Sequence, residues 1–239
     1  MARAAFHAGG MEFASGPRAV DGAATVSHSA PMNTIYNRIA AGDVGRIAAL
    51  SDGIFAFAAT ILVVDIHTPE FAGVRSEADL LAALSATAPL FLTWLMSLMT
   101  LGIFWVGQQT QLNRLVRSDR DLTWLHLVFL AIITLLPFTT RLLATFFAYR
   151  SAFVIYWANI LLSGAALYAT WSYAERADLV GDPSPELSSA VRRRIVVAQA
   201  LYALGLLAGL INVEIGIALI FIVQLNYAVA PRLPWVFKI

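Results

Sequence analysis

Cysteine is absent from the 239-residue chain, which removes disulfide frameworks, thiolate metal sites and cysteine nucleophiles from consideration. Charge is scarce as well. Only 13% of the residues are Asp, Glu, Lys or Arg, against about 25% in an ordinary soluble domain. A formal net charge of +1 provides no basic field, so nucleic acid is not an expected partner. The four histidines, His7, His28, His67 and His126, lie far apart without an i, i+4 pair, which argues against a zinc or di-iron site. The apolar runs also lack the paired carboxylates or Ser/His/Lys arrangements that a reaction needs, so an enzyme is not expected.

What the chain has in abundance is apolar residues, 59% of the total, with a mean hydropathy of +0.72. They fall into six runs near the length that crosses a roughly 30 Å hydrocarbon core: Arg46–Ile66, Leu80–Val106, Leu122–Phe147, Phe153–Tyr173, Ile195–Ile211 and Ile215–Val229. Runs of this length and Ala/Leu content must be helical, since a segment in lipid has to satisfy its own backbone hydrogen bonds. The expected fold is an all-α membrane bundle over residues 34–232, between a disordered Ala/Gly/Ser/Pro-rich tail (1–33) and a short C-terminal tail (233–239). Ser76-Glu77-Ala78-Asp79 reads as a capping box with an acid in its last place. Pro89 and Pro137 lie inside spans, where neighbouring helices can satisfy the carbonyls they free.

Arginine placement sets the expected topology. Arg114, Arg117, Arg120, Arg176 and Arg192 to Arg194 share one side with Arg3, Arg18, Arg38, Arg46, Arg232 and Lys238, while the other side holds Arg75, Arg141 and Arg150. The positive-inside rule then puts both termini in the cytoplasm, in a multi-pass protein of the cell's inner (plasma) membrane. The first outer connection carries Asp65, Glu70, Glu77 and Asp79, which either favours cations at that mouth or simply solvates a loop.

The first run holds the most information. It places Arg46, Ser51 and Asp52 at the entrance of a span, where ionisable groups cost roughly 2.5–3.5 kcal/mol each unless paired or facing water. At about 100° per residue, Phe57, Ile61 and Val64 form one stripe with Thr60 at its edge, and Ser51 and Asp52 point elsewhere. Two readings of the stripe are open. It either faces a symmetry axis as an apolar constriction, or it faces lipid or core with the Thr60 hydroxyl bonded back to the Ala56 carbonyl. His126 and Arg141, near the ends of the third span, are expected to snorkel to the interface. Asn159, Gln199, Asn212 and Gln224 are expected to join helices to one another.

The run R-I-A-A-L-S-D-G-I-F-A-F-A-A-T-I-L-V-V-D-I resembles the first-helix signature of the transmembrane protein 175 family, the endosomal and lysosomal potassium channels and their bacterial relatives, whose hallmark is R-x-x-x-F-S-D. Phe104-Trp105 resembles the family's Phe/Tyr-Trp element and Leu136-Pro137-Phe138-Thr139-Thr140 its Leu-Pro-Phe-x-Thr element. The likeness runs in register from Arg46 to about Leu143. It implies one six-helix repeat per chain, assembled as a homotetramer in the bilayer whose first helices surround the pore, without the looped carbonyl filter of other potassium channels; no T-V-G-Y-G occurs here either. By the same resemblance Phe57 stands at the apolar constriction, Thr60 at a hydroxyl layer that assists potassium selectivity, and Val64 one turn further out. Arg46, Ser51, Asp52 and Trp105 then form the polar network that holds the first helix.

The chain departs from the family pattern in three places. Leu50 replaces the signature Phe, a conservative packing change. Gln108 and Gln109 stand where relatives usually carry two His, so a proton-linked role of those imidazoles is not expected, although a glutamine still hydrogen-bonds Ser51 or Asp52. Phe57 is bulkier than the usual Ile or Leu and would seal the path more firmly. The expected function is a potassium-selective or potassium-preferring leak channel gated on the first helix, with permeating K+ and no resident cofactor. The alternative is a secondary transporter, whose customary internal repeat and paired broken helices are not evident.

Overall fold

A computed structural model of the protein describes residues 43–66, 74–182 and 184–228. The expected tails, Glu70, and the histidines 7, 28 and 67 lie outside the described residues. Among the described residues the structure is helical: α1 Val44–Val64, α2 Glu77–Ala86, α3 Ala88–Leu112, α4 Arg120–Thr134, α5 Leu136–Thr145, α6 Arg150–Arg176, α7 Pro185–Ile211 and α8 Val213–Ala228. Extended pairing among the described residues is one isolated antiparallel bridge, Leu115 to Val180.

Caps mark where several of these helices start. The Asp43 carboxylate accepts from Gly45 N–H, and Asp119 from Leu122 N–H, each satisfying an orphan donor of a first turn. The capping box also forms. Ser76 Oγ accepts from Asp79 N–H at 3.2 Å, and the Asp79 carboxylate accepts from the Ser76 hydroxyl and from Arg75 N–H. Those hydrogen bonds hold the Asp79 carboxyl below its ordinary pKa.

Five spans are long and apolar enough to cross a membrane: α1, α3, α4 with α5 as one 26-residue unit, α6 and α7. The expected sixth, α8, is apolar and has 16 residues among those described, about 24 Å of helix at 1.5 Å per residue. The second run is divided at Thr87 instead of being continuous, so Pro89 occupies the first turn of α3, where its missing N–H costs nothing. Pro137 likewise sits in the first turn of α5, after a break at Leu135. Beside that break the Asn159 side-chain amide donates to the Ile132 carbonyl at 3.0 Å, a neighbouring helix serving a helix end as expected. α7 starts ten residues earlier than its apolar run, because Pro185 at its first turn nucleates helix through the polar stretch. Arg192 to Arg194 therefore lie on a helix and not in a connection.

The core is built from Phe55, Met96, Phe104, Phe129, Phe153, Tyr156 and their neighbours. Small residues let α7 and α8 approach closely. A side chain at Gly209 would collide with the Phe153 ring, and one at Gly216 with the backbone of Gly209. Buried hydroxyls and amides link the spans: Ser97 to Thr140 at 2.6 Å, and Gln224 Nε2 to Thr100 Oγ1 at 2.7 Å. At the arginine-rich end the loops after α3 and α6 are clamped together by Val116 N–H to Leu179 O and Gly181 N–H to Arg114 O.

Candidate functional site

The site begins with how α1 is attached. Ile47, Ser51, Phe55, Ala58 and Leu62 recur at helical spacing and are buried against the bundle. On that face Phe55 meets Phe129 of α4 with ring centroids 6.2 Å apart. Ser51, with 0% of its surface exposed, donates to the Ile47 carbonyl and accepts from Gln108 Nε2 of α3 at 2.9 Å. One residue on, Asp52 Oδ1 accepts from Trp105 Nε1 at 2.7 Å and from Gln109 Nε2 at 2.8 Å. Five side chains of two spans thus form a polar latch whose registers match, 51 with 108 and 52 with 105 and 109.

The structure brings together Ser51, Asp52, Trp105 and Gln108 from the sequence-derived set. It does not bring in Arg46, whose exposed side chain has no hydrogen bond or ion pair to the latch among the described residues. Gln109 joins as a direct partner of Asp52. The resemblance places both glutamines after the Trp, and which of them meets Ser51 and which Asp52 is set by the facing of α1 and α3.

The stripe lies on the opposite part of α1. Phe57 is 65% exposed and Val64 74%, Thr60 is exposed, and Ile61 is half-buried. Leu50 and Gly53 extend the same exposed line toward the latch end. Phe57, Thr60 and Val64 therefore do not pack in the core of their own subunit, and Ile61 does so in part. The Thr60 hydroxyl donates to the Phe57 carbonyl at 2.7 Å, not to Ala56, and its oxygen keeps lone pairs able to accept.

At the far end of α1, Asp65 pairs with Arg141 at 3.2 Å. Arg141 is largely exposed, as a residue near a span end should be, whereas His126 is not. His126 is buried to 2% exposure with Nδ1 3.0 Å from the Leu122 carbonyl, because its face of α4 turns into the bundle and not toward the interface. Gln199 and Gln224 do bridge helices, while Asn212 caps α8 by accepting from Ile215 N–H. Among the described residues no cluster of three or more His, Asp or Glu is placed to hold a metal.

A bundle of apolar helices, with one helix held to the next by a polar latch and by a row of buried side chains while its other face is bare, defines a multi-pass α-helical membrane protein. The family model described as endosomal/lysosomal potassium channel TMEM175 matches residues 46–137, from α1 to the start of α5. A potassium channel of Streptomyces collinus is 31% identical over 155 residues, which cover 63% of this chain and 74% of that one. The chain belongs to the TMEM175 family. A potassium channel of Chamaesiphon minutus is 27% identical over 191 residues, 78% of this chain and 94% of that one. The human endosomal/lysosomal proton channel TMEM175 is 34% identical over 97 residues, 38% of this chain and 19% of that one. The fold matches the crystal structure of a lysosomal potassium-selective channel homologue from Chamaesiphon minutus with a TM-score of 0.69 at 24% identity, over 78% of this chain and 96% of that chain.

Proposed function

We propose that the protein is a potassium channel in which copies of α1 surround a shared axis and their Phe57, Thr60, Ile61 and Val64 side chains line the path. The observation that carries this reading is the division of labour on α1, one face latched to α3 and the stripe bare. The names of the Streptomyces and Chamaesiphon relatives add their weight. Conduction is passive, and K+ is the cargo, with no resident cofactor. Phe57 forms the apolar gate, a constriction that dewets when closed. Thr60 oxygens, with their protons committed to the backbone, offer lone pairs to a partly dehydrated cation. The assembly is a homotetramer in the plasma membrane with both termini cytoplasmic, as arginine placement favours.

Potassium flux from liposomes holding the purified chain tests conduction, and Val64→Cys cross-linking in the cysteine-free background tests the axis. Flux with cross-linked species up to four copies is the expected result. Absence of flux, or dimers alone, counts against it.

A further inference from the structure

A cavity of about 230 Å³ opens between α3 and the first half of α7, away from the α1 stripe. Its walls are mostly apolar, with Phe104, Leu167, Ile195 and Ala198 among them, and Gln111 and Gln199 add a minor polar part. An apolar cavity of ~150 Å³ already takes up a small hydrocarbon in preference to water, so this one suits a segment of acyl chain. At its arginine-rich end stand Arg114, half-buried on the loop after α3, and Arg194 on α7. Neither guanidinium has a hydrogen bond or ion pair among the described residues, and no carboxylate lines the cavity. On the same helix Arg192 is already paired, with Glu175 at 3.1 Å.

We infer that this cavity binds an anionic phospholipid, its phosphate between Arg114 and Arg194 and part of one acyl chain in the apolar recess. Charge complementarity selects that occupant. A zwitterionic lipid would place a choline or ethanolamine cation beside two uncompensated guanidinium groups, and a second protein helix would leave those groups unpaired. The recess exists because α7 stands away from the bundle at this end, where its sequence is polar and helical only by virtue of its proline start. The assignment does not depend on conduction.

Native mass spectrometry of the purified full chain, titrated with dioleoylphosphatidylglycerol or dioleoylphosphatidylcholine, tests it. The wild type should retain the phosphatidylglycerol and not the phosphatidylcholine. The Arg114→Gln/Arg194→Gln variant should bind phosphatidylglycerol roughly ten- to thirtyfold more weakly. Ala190→Phe, at an exposed position lining the recess, should lose the lipid although both arginines remain. Arg193→Gln, whose side chain does not line the cavity, should behave as wild type. Equal retention of both lipids, wild-type binding by the double variant, or an equal loss in Arg193→Gln overturns the assignment. So does displacement by inorganic phosphate with no effect of Ala190→Phe, which would make this a free-anion site.

Discussion

The Trp105 indole N–H lies 2.7 Å from Asp52 Oδ1, and the two side chains sit on different spans 53 residues apart in sequence. Each solves a problem for the other. A carboxylate at a membrane entrance needs donors, and an indole N–H needs an acceptor once its ring is partly buried. Gln109 supplies a second donor to the same oxygen, and the Ser51–Gln108 pair repeats the arrangement one residue back.

Loss of the latch should loosen α1. Trp105→Phe and Asp52→Ala, alone and combined, are expected to show a coupling of about 1 kcal/mol in a double-mutant cycle on thermal unfolding in detergent. Gln108→Leu should lower stability further than Gln109→Leu, because Gln108 is fully buried and leaves the Ser51 oxygen without its donor.

Phe57→Ala should raise potassium flux severalfold in liposomes by widening and wetting the proposed constriction, whereas Thr60→Val should lower potassium preference over sodium with little change in expression. Unaltered flux in Phe57→Ala would remove the gate from that position.

Part of this site was readable from residue order and part only through the family resemblance. Ser51 and Asp52 at the mouth of an apolar run needed donors, and the resemblance pointed to Trp105 and the Gln108-Gln109 pair among the several polar residues of the next span. The apolar runs marked the spans for the same reason, since every backbone group in lipid needs an internal partner. Less legible was anything set by how helices face each other. His126 looked peripheral by position, yet packing rotates it inward. Arg46 looked like a latch residue by motif but faces outward. Hydropathy also misplaced the start of α7, because a proline-initiated helix continues through polar residues that an apolar window excludes.

The α7–α8 contact should tolerate little bulk. Gly209→Leu drives a side chain into the Phe153 ring and is expected to cost about 1–3 kcal/mol or to prevent assembly, with Gly209→Ala intermediate, as measured by the thermal midpoint of the purified protein.

Acid should weaken the start of α2. The Asp79 carboxyl is held low by the Ser76 hydroxyl and Arg75 N–H, so its contribution is complete above the ordinary aspartate value and fades as pH falls through the lowered one. The stability gap between wild type and Asp79→Asn should therefore be constant near neutrality. It should close only below about pH 4.

In the proposed pore, the bond from the Thr60 hydroxyl to Phe57 O bears on the sign of the ion that passes. With its hydrogen already given away, that oxygen can only receive. A halide arriving beside it meets electron pairs and apolar carbon and no hydrogen to grip, so chloride should gain nothing there, and replacing chloride with a bulkier anion should leave the reversal potential where it was.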